Sequence, residues 1–364
     1  MGIEHGYQKV DRFLRNRVIQ NKFPPGCVIW VGSRKTDYFT AVYGYRQVIP
    51  GKKIMHQETI FDLASLTKPI CTALLTMMLY EEKELKLTDP IEKYLGIFRN
   101  RQNGKRTIKD LLTHRSGMPA WFPLYILPGK KRIEYLAKTS TRPRKTLYSC
   151  LGYITLGKVI EAITGSKLDT IYRSKVLKVL GLKHTGFKPG TRLLENIAAT
   201  ELGNGHEMKK TMSYVDPAKI KWRHRLIYGE AHDGNCFYAF KGVSGNAGLF
   251  SNAPDLAILL RSYLAGMIVR PDTVRMMVKN HTGGKEPKGL GWALDLYPGI
   301  LSPESFGHTG FTGTMLVVDP KTDLMVIMLT NSVHPKVRLG IMPGIRKKVV
   351  QLIAETVNRG SGVG

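Results

Sequence analysis

The chain has 364 residues, 43% hydrophobic and 23% charged, with 37 Gly and 19 Pro; that apolar share is enough for a buried core, excludes a disordered chain, and at this length suggests about two domains. Lys and Arg number 55 against 28 Asp and Glu, a formal charge of +27 that favours polyanions or anionic substrates and says nothing about fold. Cys27, Cys71, Cys150 and Cys236 stand far apart with no C-x-x-C and no Cys/His cluster, which argues against a zinc site or a disulfide framework and suits a reducing compartment.

The N-terminus, MGIEHGYQKVDRFLRNRVIQ, sets Val10, Phe13, Leu14 and Val18 at helical spacing. It lacks the apolar run of roughly 7–15 residues of a secretory leader. The longest apolar stretch, Ile70 to Tyr80, is too short to cross a bilayer. The expectation is a cytoplasmic protein without a membrane span. Phe23-Pro24-Pro25-Gly26 reads as a turn. CVIWVGS (27–33) and YFTAVYGYR (38–46), joined by a short polar link, read as a β-hairpin. From Ser65 to about Ser262 helical periodicity dominates, broken by Gly/Pro loops. A second hairpin, GTMLVVDP (313–320) and DLMVIMLTN (323–331), precedes a helix within about Val337 to Val357. Strands joined by short turns pair antiparallel, so both hairpins are expected in one sheet made from the two chain ends. The fold class is α/β plus all-α: an antiparallel sheet flanked by helices (residues 1–62 and 240–364) with an inserted, mainly helical domain (63–239).

The segment FDLASLTKP (61–69) opens a helix, with Pro69 suited to its first turn. Ser65 and Lys68 are three residues apart and share a face. A serine hydroxyl is a weak nucleophile that needs a base beside it. A desolvated lysine, its pKa lowered, is a candidate for that base, and a helix N-terminus supplies N–H groups to an oxyanion. Chance alone places about one S-x-x-K in a chain of this size, but Ser65 is the only serine here with lysine three residues on.

Four further segments follow in order: TIKDLLTHRSGMP (107–119), TLYSCLGYITLGKVIEAITG (146–165), VSGNAGLFSNAPDL (243–256) and FGHTGFTGT (306–314). At these residues, from about Val28 to about Asn331, the sequence resembles the serine β-lactamase and penicillin-binding-protein-like hydrolases, nearest the class C β-lactamase, D-Ala carboxypeptidase and β-lactamase-like esterase branch. The resemblance implies an antiparallel sheet with helices, an all-helical domain and a site at their junction. It implies Ser65 as nucleophile, Lys68 as its partner, and Tyr148 as the opening residue of the Tyr-x-Asn element. It matches His308-Thr309-Gly310 to the Lys-Thr-Gly element, written His-Thr-Gly in many esterase-like members, and gives the oxyanion hole the N–H groups of Ser65 and Phe311. Tyr148, between cations, is expected to have a depressed pKa and to act as base and then as acid. His308 is expected to titrate near neutrality and to donate to a substrate carboxylate or carbonyl. Whether Lys68 or Tyr148 is the operative base stays open. The asparagine of Tyr-x-Asn is here Cys150, and a thiol is a poor hydrogen-bond partner. With histidine in place of lysine at position 308, this favours esters over β-lactams.

His114 falls in a turn that the resemblance places below the site, a structural role. Glu230, His232, Asp233 and Asn235 cluster in a segment expected to order a loop at the cleft rim, ahead of substrate contact or metal binding. Gly242 to Gly248 is no G-x-G-x-x-G. Two basic stretches, Lys130 to Lys145 and Lys209 to Arg225, carry interleaved Tyr214 and Trp222; without a recognisable module they read as solvated faces that steer an anionic substrate, and no nucleic-acid partner is expected. The expected partner is a small ester, β-lactam or peptide, anionic forms included, and no cofactor or metal is implied. The rival readings are a catalytically weak penicillin-binding-like scaffold and an anion-binding protein.

Overall fold

A computed structural model describes residues 6–140, 146–284 and 286–360. Its main sheet has seven antiparallel strands: β1 (Gly26–Gly32), β2 (Asp37–Gln47), β3 (Lys53–Ile54), β7 (Ala293–Leu294), β8 (Phe306–Thr309), β9 (Met315–Asp319) and β10 (Leu324–Thr330), in the order β3-β2-β1-β10-β9-β8-β7. The two chain ends meet where β1 pairs with β10, Cys27 opposite Thr330 and Trp30 opposite Ile327. Both hairpins therefore share one sheet, as their short turns imply.

The central strands are apolar without alternation because both faces are covered. Cys27, Ile29 and Val31 of β1, with Val326 and Met328 of β10, pack under the N-terminal helix α1 (Gln8–Arg15) and the C-terminal helix α6 (Met342–Gly360). Val28, Trp30, Met325, Ile327 and Leu329 point the other way, into a core continuous with the helical region. A one-residue slip would exchange the two sets. α6 begins at Met342, inside the expected stretch of about Val337 to Val357, after Gly340 at φ +82° and with Pro343 in its first turn, and runs on to Gly360.

Between the strands lie α2 (Leu74–Glu81), α3 (Cys150–Thr164) and the short α4 (Gly205–Thr211). Helix α5 (Ala253–Leu264) packs on β1 and β10. Ser149 caps α3, its Oγ accepting the Gly152 N–H at 3.1 Å, and Gly165 ends the helix in the left-handed region. A second sheet has three very short strands, β4 (Phe61–Asp62), β5 (Gly186–Phe187) and β6 (Leu249–Ser251), in the order β4-β6-β5. It fixes the segment that enters Ser65. No helix among the described residues is long and apolar enough to cross a membrane. Arg142, Arg144 and Lys145 of the first basic stretch lie outside the described residues.

Candidate active site

The chain leaves β4 through a kink. Ala64 sits at φ +47°, its N–H donating to Asp62 Oδ1 at 2.8 Å, and Ala64–Leu66 form one 3₁₀ turn. A π-helical segment, Lys68–Ala73, follows before α2 begins. This path puts Ser65 on a tight turn. Thr67 Oγ1 locks it, donating to the Ala64 carbonyl at 2.7 Å and accepting the Leu249 N–H at 3.1 Å.

Lys68 is fully buried. Its Nζ donates to Ser65 Oγ at 2.9 Å and to the Asn246 carbonyl at 3.0 Å, and lies 4.9 Å from the Tyr148 ring centroid. The Asn246 carbonyl is delivered by a glycine-dependent contact. A Cβ on Gly245 would lie 2.1 Å from the Tyr153 carbonyl oxygen and 3.1 Å from the Gly157 nitrogen, so only glycine lets this loop press on α3. Burial pulls the Lys68 pKa down, but the neighbouring Cys150 and Tyr148 pull it up, and the balance lies above the ordinary lysine value. The expected lowering is therefore corrected.

Tyr148 stands on the segment before α3. His114 holds that segment: its carbonyl accepts the Leu147 N–H at 2.9 Å and its Nδ1 accepts the Ser149 N–H at 3.0 Å. The His114 ring is 4.6 Å from that of Tyr148. His114 is thus a support for Tyr148, and burial followed by Lys68 keeps it neutral, well below its usual pKa. Tyr148 is 39% exposed at its outer edge, while its hydroxyl turns in toward Lys68 and Ser65. Desolvation raises that phenol's pKa, and Lys68 and hydrogen bonding only partly oppose the rise. The expected depression does not occur, because the hydroxyl is buried together with its cation.

His308 lies in β8, its ring centroid 6.0 Å from that of Tyr148. Its Nδ1 is 2.8 Å from the Thr309 carbonyl. A carbonyl only accepts, so Nδ1 carries the hydrogen and the neutral ring leaves Nε2 as an acceptor. Burial first, then Lys68, pushes its pKa down to about 3. His308 therefore does not titrate near neutrality, and at neutral pH it accepts at Nε2 where donation was expected. Gly310 has no room for a side chain: a Cβ would lie 2.5 Å from the Leu63 carbonyl oxygen. Thr312 Oγ1 donates to the Asp62 carbonyl at 2.7 Å and Thr314 Oγ1 to that of Leu63 at 3.1 Å. These bonds bolt the end of β8 to the turn that carries Ser65, and Phe311 follows Gly310 at the mouth, 43% exposed.

Ser65, Tyr148, His308, Thr309, Gly310 and Phe311 all line one cleft of about 500 Å³. Cys150 does not line it; the residue is half-buried in the first turn of α3, its N–H donating to the Ala120 carbonyl at 2.9 Å. The cleft also contains groups that sequence reasoning missed. Arg346 of α6 is buried, donates from Nη2 to the Gly310 carbonyl at 2.7 Å, and leaves Nε without a partner among the described residues. Burial lowers its pKa to about 10, and Lys288 stands nearby on the wall. The segment before Gly242 orders the rim. Glu230 meets Arg225 at 2.7 Å, the His232 N–H donates to Asp62 Oδ2 at 2.7 Å, its Nε2 is 3.1 Å from Glu201, and Asn235 Oδ1 accepts the Leu124 N–H at 2.8 Å. Among the described residues no group of three or more His, Cys, Asp or Glu is gathered for a metal ion.

The family model described as Beta-lactamase matches residues 10–349. A protein named putative D-alanyl-D-alanine carboxypeptidase from Escherichia coli (strain K12) is 32% identical, covering 90% of this chain and 83% of that protein. One named N-acetylmuramyl-L-alanine amidase from Bacillus subtilis (strain 168) is 33% identical over 91% of this chain and 82% of its own length. A class C beta-lactamase from Rhodobacter sphaeroides shares the fold, with TM-score 0.71, 17% identity, and 97% and 99% of the two chains covered.

Proposed function

The chain belongs to the beta-lactamase family of serine hydrolases, and we propose that it forms an acyl-enzyme on Ser65 and cleaves carboxylic esters or amides, D-amino-acid peptides among them. The 2.9 Å bond from Lys68 Nζ to Ser65 Oγ carries this reading. Ser65 Oγ attacks the carbonyl carbon and its proton passes to the coupled Lys68–Tyr148 pair. The oxyanion draws on the N–H groups of Ser65 and Phe311, which the Thr312 and Thr314 bonds hold in register. Collapse breaks the bond to the leaving alcohol or amine, which takes a proton from Tyr148. Water, deprotonated by the same pair, then releases the acid and frees Ser65.

Two features bear on the substrate. Arg346, a buried cation with a spare N–H, is suited to a substrate carboxylate, the role for which His308 lacks a charge. Cys150 replaces the amide that would hold an acyl-amide group, which favours esters and unsubstituted acyl chains over penicillins. That a relative carries a D-alanyl-D-alanine carboxypeptidase name supports a D-amino-acid peptide in the substrate panel. The test is intact-protein mass spectrometry after exposure to a fluorophosphonate and to a penicillin. An adduct on Ser65, absent in Ser65→Ala, is the expected outcome. No adduct with any acylating probe would leave a non-catalytic scaffold. Nitrocefin turnover equal to that of p-nitrophenyl butyrate would overturn the ester preference.

A further inference from the structure

A second groove opens from the cleft. It has a volume of about 840 Å³, larger than the cleft itself, and the two share Val337 and Leu339 as walls. At the junction the Phe311 ring meets that of His206, a groove residue, in a tilted contact with centroids 5.0 Å apart. The groove is pre-formed: its two walls are joined by the Leu202 N–H donating to the Pro335 carbonyl at 2.8 Å, and by His334 Nδ1 at 2.7 Å from the Thr200 carbonyl.

Its chemistry is amphiphilic. Apolar surface includes Leu202, 51% exposed, and Leu339, 67% exposed. Above it stand Lys209 and Lys210 of α4 and Lys336 from the facing wall. None of these three lysines makes an ion pair among the described residues; Lys210 rests on the Trp121 ring, Nζ 3.7 Å from its centroid. The single acid lining the groove, Glu201, is buried against His232. Three cations without ion-pair partners, set over exposed aliphatic surface continuous with a nucleophile, match an apolar chain that ends in an anion.

We propose that this groove receives an anionic arm of the substrate, an apolar chain ending in a carboxylate or phosphate, so that the enzyme selects esters or amides bearing such an arm over neutral ones of equal length. This rests on the Ser65 hydrolase reading and names its substrate class. The reaction is the hydrolysis above; the arm adds binding, not a chemical step.

The test compares p-nitrophenyl half-esters of adipic, suberic and sebacic acid with neutral p-nitrophenyl hexanoate, octanoate and decanoate, in wild type and in Lys209→Glu/Lys336→Glu. At low salt the half-ester at the best length should be preferred about tenfold in kcat/KM, and the preference should shrink as ionic strength screens it. The double reversal should remove the preference. Because each ratio is taken within one preparation, a partly unfolded variant does not disturb it. The same half-esters are titrated calorimetrically into Ser65→Ala, where tighter binding than of the neutral esters should vanish on adding the two reversals. Equal kcat/KM for charged and neutral esters, or a preference that survives reversal, overturns the groove. Charge-dependent binding to Ser65→Ala without hydrolysis by wild type would instead fault the hydrolase reading and leave the groove standing.

Discussion

The floor of the cleft is held from every side. Lys68 is fully buried and bonded to Ser65 and Asn246, His114 supports Tyr148 through both neighbouring peptides, and Gly310 is pressed on Leu63. The rim is carried by exposed side chains and short elements: Leu339, Leu202 and the two-turn helix α4, which stands on the buried carboxyl of Glu207. Their buried acids and bases also differ in sign. His114 and His308 on the floor are held below their ordinary pKa, chiefly by burial. Glu207 under the rim is raised by burial, and secondarily by Asp233, to about 7. The contrast separates a floor braced by buried hydrogen bonds from a rim of exposed side chains, and the two weaken in opposite directions of pH.

The sharpest way to break this contrast is Lys68→Met. The floor should lose about 10³-fold in acylation rate, measured by single-turnover fluorophosphonate labelling, with no new group able to take the Ser65 proton. A loss under tenfold would mean that the pair is not the base. Next comes pH. With both Lys68 and Tyr148 raised, the deprotonated pair is scarce at neutrality. Labelling rate should therefore climb about tenfold per unit from about pH 7 to 9, whereas a plateau beginning below pH 7 would contradict the raised values.

His114→Ala leaves the Ser149 N–H without its acceptor and frees the Tyr148 segment. It should cost about 1–3 kcal/mol in denaturant unfolding and about tenfold in kcat with KM little changed. A change in KM alone would place Tyr148 in binding and not in proton transfer.

The opposite pH responses follow from linkage. Glu207 binds its proton more tightly folded than unfolded, so its stabilising share is complete below about pH 4.5 and is lost as pH rises through about 7. At most this is about 3 kcal/mol. His308, whose folded pKa is near 3, acts in reverse: stability declines as pH falls below the unfolded imidazole value of about 6.5. Glu207→Gln should remove the alkaline loss, raising Tm at pH 8 relative to pH 5. Hydrogen exchange, corrected for intrinsic rates, should show α4 opening more at pH 8 and the segment 146–149 opening more at pH 5. Uniform behaviour in both would show that rim and floor are one cooperative unit.

Much of this architecture is legible in the order of the amino acids. The two hairpins announce themselves by β-rich runs around short turns, and Ser65 and Lys68 by a single helical turn of separation. The second sheet is not legible, because strands of two or three residues have no periodicity to detect. The Asn246 carbonyl that steadies Lys68 is backbone, so side-chain patterns cannot reveal it; only the glycines beside it hint that something passes close. Arg346 reads as one more cation on an amphipathic helix, and only the fold shows it buried with its guanidinium on the Gly310 carbonyl. The pKa directions of Tyr148 and His308 differ from expectation chiefly through burial, and that of Lys68 because Cys150 and Tyr148 outweigh its burial; spacing measures neither water access nor tertiary neighbours.

Ala64 holds a left-handed backbone immediately before Ser65. An alanine there costs about 1 kcal/mol over glycine, so Ala64→Gly is a substitution that selection for thermal resistance would readily find. The same exchange widens the torsional range of the peptide that aims Ser65 Oγ. Ala64→Gly would thus exchange backbone strain for torsional freedom at the one peptide that leads into Ser65.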